Sequence, residues 1–199
     1  MIKLPIQNYY VRDKLIEHSY VKPLVLEAIS KREDHNLVDY SQGEENNIGK
    51  LDWDYANDFD RDWVKILGPM LIKKLGEMAY TLGFESIVMK QMWYQQYQKD
   101  NVHGWHTHSE NYTGVYYLEY PDGAPATQLY DTEMKIPDVD EGDVVMFPSM
   151  TPHRAPKVEN DIRKTIVSFN FNGLKFNEHR LKEFNNARLF VKWWYIHKT

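Results

Sequence analysis

The sequence predicts a mainly β domain with flanking helices, of the α+β class, in which short strands form a sandwich or barrel. Three observations support this prediction. One long helical pattern lies in the first half of the chain. Short β-rich segments separated by turns follow from Ser86 onward, and neither a repeat nor a low-complexity linker divides the 199 residues. Because such strands bury one face against each other, we expect the long helix to lie outside them.

Two stretches carry helical signals. Residues 23–29 could start a short helix, with a proline near the first turn, where proline is tolerated. Residues 59–82 predict an amphipathic helix, because apolar side chains recur at three- and four-residue steps. Within it, the Gly-Pro pair at 68–69 predicts a kink or a break, and Gly83 predicts the end.

The second half of the chain carries strand signals. β-branched and aromatic residues dominate four segments, and Pro-Asp-Gly and Glu-Gly-Asp turns punctuate them. The predicted strands cover residues 87–98, 112–120, 144–147 and 165–171. Short strands separated by turns are typical of a sandwich or a barrel.

We expect one domain over residues 1–199, with helical support in 1–85, the β core in 86–175 and an extension in 176–199. Residues 35–51 are polar and rich in turn formers, which predicts a loop. The extension ends in an aromatic cluster that we expect to pack against the domain rather than to form a partner surface. The cluster comprises Phe190, Trp193, Trp194 and Tyr195.

The composition excludes several classes of site. The 24 Lys and Arg against 29 Asp and Glu give a net charge of −5, which argues against nucleic acid as a partner. The chain has no cysteine, so disulfides, zinc–thiolate sites, iron–sulfur clusters and cysteine nucleophiles are excluded. No segment resembles a signal peptide or approaches the ~20 apolar residues of a membrane span. We therefore expect a cytoplasmic protein with no membrane partner.

Histidine gives the sharpest functional signal. His106 and His108 form an H-x-H pair, and in an extended segment residues i and i+2 point to the same face, so both imidazoles can converge on one ion. His153 follows a predicted strand and a proline, which could bring a third ligand from across the barrel. Imidazole ligands suit iron, zinc, copper and nickel.

A cation follows the distal histidine. Arg163 lies ten residues after His153, and on the next strand it shares its parity with Thr165 and with three apolar residues, Val167, Phe169 and Phe171. We therefore expect Arg163 and Thr165 to point into the barrel. A buried guanidinium requires an anionic partner, either a protein carboxylate or the carboxylate of a small organic acid.

The ordered motifs of residues 90–172 resemble a known family. These motifs are H-x-H, GVYYL, GDVVMFPS, the distal histidine and RKTIVSFN, and Trp93, Tyr97 and Lys99 precede them at similar positions. The sequence is similar to the small 2-oxoglutarate/Fe(II)-dependent oxygenases of bacterial and phage-associated origin, which have a prolyl-hydroxylase-like jelly roll.

The resemblance implies a double-stranded β-helix (jelly-roll, cupin-like) core and two cofactors, Fe(II) and 2-oxoglutarate. His106 and His153 would be iron ligands. Arg163 and Thr165 would hold the distal carboxylate of 2-oxoglutarate, and Tyr116 or Tyr117 would donate a hydrogen bond to the same carboxylate.

The third ligand departs from the family pattern, which has a carboxylate two residues after the first histidine. Three interpretations remain. His106, His108 and His153 could form a three-histidine site. The register could shift, so that His108 and Glu110 supply an H-x-E motif. Finally, His108 could stay unbound, with water or another carboxylate completing the shell.

The resemblance implies an enzyme that uses dioxygen and the organic-acid cosubstrate to hydroxylate a C–H bond of a protein side chain or a small molecule, releasing succinate and CO2. We expect Trp93, Tyr97 and Trp105 to line its pocket, and His103 to be either a loop residue or a neighbour of the metal ligands rather than a ligand itself. One alternative is a three-histidine cupin-type metal dioxygenase that does not use 2-oxoglutarate. Another is a non-enzymatic module that binds protein or sugar.

Overall fold

The structure is a computed structural model that describes residues 10–32 and 46–179. Those residues contain two α-helices, α1 (His18–Ser30) and α2 (Asp62–Thr81), and a 3-10 turn at Trp53–Tyr55. No helix in this part of the chain combines the length and apolar character that a membrane span needs. The aromatic cluster of the C-terminal extension lies outside the described residues.

Eleven strands are present in the described part of the chain. They are β1 (Val11–Lys14), β2 (Asn46–Asn47), β3 (Lys50–Leu51), β4 (Phe84–Tyr97), β5 (Val102–His106), β6 (Tyr112–Glu119), β7 (Gln128–Tyr130), β8 (Met134–Lys135), β9 (Asp143–Pro148), β10 (His153–Ala155) and β11 (Lys164–Phe176). The four predicted strands correspond to β4, β6, β9 and β11.

The strands form two antiparallel sheets. The larger sheet has the order β1-β9-β6-β11-β4-β3, and the smaller has the order β2-β5-β10-β7-β8. Side chains from both sheets meet in an inner core, which includes Trp93, Tyr117, Leu129 and Ile166. This two-sheet arrangement with few helices confirms the predicted fold class, a jelly-roll core with helices outside.

The helices cover the outer face of the larger sheet. An outer core forms there, with contributions from α1 (Val21, Val25), α2 (Leu67, Leu71, Leu75) and β11 (Val167, Phe169, Phe171). Residues 164–171 of β11 are therefore buried on both faces of the sheet, and neither face is exposed to solvent there.

Two helix predictions differ from the structure. Helix α1 begins at His18, before the predicted start, and Pro23 lies inside it. Helix α2 continues through Gly68–Pro69 instead of breaking there. Its apolar face is held against the sheet along its whole length, and such tertiary packing outweighs the lost backbone hydrogen bond. Residues 46–51, part of the predicted loop, instead contain β2 and β3.

Candidate metal centre and its cavity

Three histidines meet between the two sheets. His106 ends β5 and His153 begins β10, and the two stand opposite each other in the antiparallel register. His108 lies two residues beyond β5, where its backbone N–H donates to the Ser149 carbonyl at 2.9 Å. The ligand atoms of the three imidazoles all lie within 4.8 Å of one another. The structure thus brings together the three histidines that the sequence singled out.

Backbone carbonyls orient two of these rings. Nδ1 of His106 lies 2.8 Å from the Gly104 carbonyl oxygen, and Nδ1 of His153 lies 2.9 Å from that of Thr151. A carbonyl only accepts, so both Nδ1 atoms carry the proton and donate it. Each Nε2 then keeps its lone pair for a metal, as in histidine sites whose second nitrogen is held by a backbone group.

The imidazoles are held in the neutral form, which is the form that binds metals. Burial, together with the neighbouring histidines, lowers the pKa of His153 to about 2. The same causes lower the pKa of His108 to about 4. Burial also lowers the pKa of His106. Three neutral imidazoles in a largely buried cluster fit a divalent ion such as Fe(II), Zn(II) or Ni(II).

No carboxylate of the described residues joins the histidine cluster. Glu110, the alternative ligand, instead accepts a hydrogen bond from the Ser109 hydroxyl at 3.2 Å. Nδ1 of His108 lies 3.4 Å from the side-chain amide of Asn170 on β11. Among the described side chains, the donor set is therefore three histidines.

A cavity of about 220 Å³ opens beside the histidines. Its apolar walls are Ile48, Leu51, Trp53 and Trp93, and His106 and His108 form part of its floor. The rings of Trp53 and Trp93 meet edge to face, with centroids 4.4 Å apart. Residues 48–53, in and after the predicted loop, thus supply three of the four apolar wall residues, a contribution that the sequence did not predict.

A buried ion pair fixes the segment that carries Trp53. The carboxylate of Asp52 is fully buried, pairs with Arg61, and accepts hydrogen bonds from the Trp63 indole at 2.9 Å and the Tyr94 backbone N–H at 2.8 Å. These contacts tie the start of the 3-10 turn to α2 and β4. Trp53 is consequently held at the cavity rim by a satisfied polar network.

The prediction that Trp105 lines the pocket is wrong. Trp105 alternates with His106 along β5, so it points to the outer face of the smaller sheet and is 41% exposed. There the guanidinium of Arg154 lies 4.7 Å from its ring centre, and Tyr130 meets it edge to face. Trp93 and Tyr97 do line the cavities that reach the histidines.

The predicted facing of β11 is also wrong. The Arg163 side chain is 50% exposed, and its Nε and Nη2 each donate to Glu119 at 2.8 Å. The Thr165 hydroxyl donates to the same carboxylate at 2.8 Å. Neither residue lines a cavity that contains the histidines. The odd-numbered residues of β11 face the helices, because their apolar members belong to the outer core.

The inner face of β11 carries a different cation, Lys164. Its side chain is fully buried, and Nζ donates to the Pro125 carbonyl at 2.9 Å and lies 4.8 Å from the centre of the Tyr97 ring. No carboxylate among residues 10–32 and 46–179 pairs with it. Burial lowers the pKa of Lys164 to about 7. The polar even-numbered set of β11 was the sequence signal that could have identified this residue.

The two tyrosine candidates lie on opposite faces of the larger sheet. The hydroxyl of Tyr116 lies 2.7 Å from Nδ1 of His18, on the side of the helices. Tyr117 belongs to the inner core, where its hydroxyl accepts from the Thr127 backbone N–H at 3.2 Å. The hydroxyl of Tyr97 is also buried, and no described residue forms a hydrogen bond with it. Of these three tyrosines, Tyr97 and Tyr117 face the interior.

Of the two positions predicted for His103, the structure matches the one beside the metal ligands. His103 is part of strand β5 rather than a loop, and its ring stacks on His106 with centroids 3.9 Å apart. It also lines the 220 Å³ cavity. Burial lowers the pKa of His103 to about 3, which keeps this imidazole neutral.

No protein-family model matches the chain, and no curated protein matches its sequence. Solved structures do match. The α-ketoglutarate-dependent carbocyclase SnoK from nogalamycin biosynthesis has a TM-score of 0.65 at 12% identity, covering 86% of this chain and 83% of SnoK. A Pseudomonas putida prolyl-4-hydroxylase has a TM-score of 0.57 at 12% identity, covering 81% and 91%.

HygX from Streptomyces hygroscopicus, solved with nickel and 2-oxoglutarate bound, has a TM-score of 0.56 at 10% identity, covering 85% of this chain and 84% of HygX. Identities this low establish the fold. The chain therefore has the double-stranded β-helix fold of the 2-oxoglutarate/Fe(II) oxygenases, prolyl hydroxylases among them.

Proposed function

We propose that the protein is an Fe(II)- and 2-oxoglutarate-dependent dioxygenase that hydroxylates a C–H bond of a protein side chain or a small molecule, with release of succinate and CO2. One observation carries the proposal. Three neutral imidazoles and a buried, unpaired ammonium lie in the interior of a fold that SnoK and HygX share. Neutral imidazoles that cluster in this way can bind a metal ion, and a buried ammonium can bind an anion.

His106, His108 and His153 would hold the metal. One ring nitrogen of each lies within 4.8 Å of those of the other two, and backbone carbonyls fix the tautomers of His106 and His153. When bound, iron together with 2-oxoglutarate supplies the oxidising chemistry with dioxygen. The chain itself contributes ligand orientation and a water-poor setting, because Trp53 and Trp93 wall the adjacent cavity.

Lys164 would hold the distal carboxylate of 2-oxoglutarate, the role that the sequence had suggested for Arg163. An unpaired buried ammonium is costly, and a bound carboxylate would relieve that cost. The unpartnered hydroxyl of Tyr97 supports the same assignment, because a buried donor without an acceptor loses free energy that a ligand can restore. Tyr117 would contribute indirectly, because its hydroxyl accepts a hydrogen bond from Thr127, which borders the same narrow cavity as Tyr97.

The space between the histidines and Tyr97 is narrow, about 20 Å³. Binding of the cosubstrate therefore requires side-chain rotations around this cavity, which are common at binding sites. The residues that border the space are mostly polar or small, and they include Thr113, Thr127 and Ser168. Such side chains can rotate without unpacking the outer core.

The three-histidine donor set favours one alternative function. A cupin-type dioxygenase could use dioxygen at the same three imidazoles without 2-oxoglutarate. In that case Lys164 would be a structural residue that bonds Pro125. The two functions therefore differ in the role of the lysine.

Turnover of 2-oxoglutarate distinguishes the two candidate functions. Purified protein with Fe(II), ascorbate and dioxygen should convert 2-oxoglutarate to succinate, measured by NMR or mass spectrometry. We expect succinate from the wild type and from Arg163→Met, and background levels from His153→Ala and Lys164→Met. Equal succinate formation by wild type and His153→Ala would contradict the proposed function.

A further inference from the structure

The cavity beside the histidines has a composition that restricts its occupant. Its described lining contains no Asp, Glu, Lys or Arg, and four of its walls are apolar or indole side chains. At about 220 Å³ it is smaller than the roughly 300–1,000 Å³ typical of pockets for drug-sized ligands. It can hold a single side chain or one small ring.

Two polar side chains of the lining, His103 and Gln95, belong to a hydrogen-bond relay. The Ser168 hydroxyl donates to Oε1 of Gln95 at 3.0 Å, and Nε2 of Gln95 lies 3.3 Å from Nδ1 of His103. An amide Nε2 only donates, so Nδ1 of His103 accepts and carries no proton. The relay therefore places the proton of His103 on Nε2.

That Nε2–H is a donor without an acceptor. No described residue accepts a hydrogen bond from it, although its ring lines the cavity and stacks on His106. The stacking fixes the plane of the ring and Gln95 fixes its tautomer. A fixed donor beside a metal centre can form a hydrogen bond with an acceptor atom of the molecule that occupies the cavity.

We propose that His103 is a specificity-determining residue, and that the group oxidised at this site is small and uncharged and carries one hydrogen-bond acceptor, which Nε2–H of His103 binds. The proposal rests on the proposed function in one respect, namely that this cavity holds the substrate. A charged group is disfavoured here because the described walls offer no counter-ion.

The tautomer is tested first. Nitrogen-15 NMR of histidine-labelled protein, with and without Zn(II), reports which ring nitrogen of His103 carries the proton, and His103→Phe assigns the signal. We expect an Nε2–H tautomer in the wild type. In Gln95→Met, which keeps the length of the side chain and removes the amide, we expect the signals to move toward a mixture of tautomers. Gln98→Met, on an exposed residue just after the same strand, is the matched control and should leave them unchanged.

Small probes test the specificity. Cyclopentanone offers an acceptor, pyrrole offers a donor, and the cyclopentylammonium ion carries a charge on a ring of similar size. We expect cyclopentanone to bind roughly three- to tenfold more tightly than pyrrole, the effect of one hydrogen bond, and cyclopentylammonium to show no binding. In His103→Phe, which keeps the stacked ring, cyclopentanone should lose that advantage.

An Nδ1–H tautomer in the wild type, or pyrrole binding as tightly as cyclopentanone, would overturn the proposal. These measurements require neither 2-oxoglutarate nor turnover, so a failure of this proposal can be told apart from a failure of the proposed function. A fixed Nε2–H tautomer without succinate formation would contradict the dioxygenase. Succinate formation with an Nδ1–H tautomer would contradict only the role of His103.

Discussion

The ammonium of Lys164 lies 4.8 Å from the centre of the Tyr97 ring, and Tyr97 borders the narrow cavity that the three histidines also line. The pair combines a buried cation that lacks a counter-ion with a buried hydroxyl that lacks a hydrogen bond among the described residues. Each is costly in isolation, and one carboxylate bound between them would satisfy both. We interpret the pair as the anion-binding end of the site.

Lys164→Met should weaken binding of 2-oxoglutarate by about 10- to 100-fold, the contribution of a hydrogen bond to a charged group. Calorimetric titration of the Zn(II)-loaded protein measures this. The matched control is Arg163→Met on the neighbouring, outward-facing position, which should change the affinity less than about threefold. If Arg163→Met loses more affinity for 2-oxoglutarate than Lys164→Met does, then the guanidinium of Arg163, and not the ammonium of Lys164, binds the cosubstrate.

The affinity for 2-oxoglutarate should depend on pH through the same lysine. In the free protein burial lowers the pKa of Lys164 to about 7, and a bound carboxylate would raise that pKa again. Below pH 7 the ammonium is already protonated and the affinity is constant. Above pH 7 binding must take up a proton, so the dissociation constant should rise by about tenfold per pH unit until the pKa of the complex is reached.

Titrations between about pH 6 and pH 9 measure this dependence, and Lys164→Met should show none of it. A wild-type affinity that stays flat across that range would contradict the assignment of Lys164.

Removal of individual histidines should rank the metal ligands. His153→Ala and His106→Ala should each abolish binding of Co(II), followed by its visible absorption, because the oriented rings are lost. His108→Asp should keep binding, since it creates the two-histidine, one-carboxylate set of many Fe(II) oxygenases. His179→Ala, on an exposed residue beyond β11, should bind like the wild type. Unchanged binding in His153→Ala would exclude the site.

How far the sequence predicts the site depends on which face of a strand is exposed to solvent. The H-x-H pair and the distal histidine were identifiable, because extended geometry brings i and i+2 to one face. The orientation of the side chains along β11 could not be identified from the sequence. Both faces of this strand are buried, so Val167, Phe169 and Phe171 are apolar because they pack under the helices rather than because they line the barrel.

The polar residues on the inner face of β11 are explained instead by the histidine site that this face borders. Ser168 borders the narrow cavity that the histidines line and Asn170 contacts His108, whereas Lys164 lies against Tyr97, which borders the same cavity. The cavity wall at Trp53 was missed for a different reason. It stands in a polar, turn-rich stretch, and only the long-range pairing of Asp52 with Arg61 places it at the rim. Such pairing has no local sequence signal.

Gly114 on β6 should tolerate no side chain. A Cβ there would lie 2.1 Å from the Val145 carbonyl oxygen and 2.7 Å from the Phe169 ring. Gly114→Ala should therefore lower the free energy of unfolding by about 2–4 kcal/mol, as overpacking and backbone shifts do in well-packed cores. The control is Gly76→Ala in α2, where a Cβ meets nothing within 4 Å. It should raise the stability by about 0.5–1 kcal/mol.

Urea denaturation followed by tryptophan fluorescence measures both glycine variants. A stability for Gly114→Ala equal to that of the wild type would show that β6 does not pack against Phe169 and Val145 as closely as described.

The most direct measurement is an anaerobic titration of the Fe(II)-loaded protein with 2-oxoglutarate, followed in the visible spectrum. Chelation of iron by a 2-oxo acid gives a weak charge-transfer band. We predict that the band forms in the wild type and in Arg163→Met, and that it is lost in His153→Ala and in Lys164→Met at the same concentrations. If Fe(II) binds to the wild type and no band forms, the cosubstrate assignment is wrong and the three-histidine cupin function takes its place.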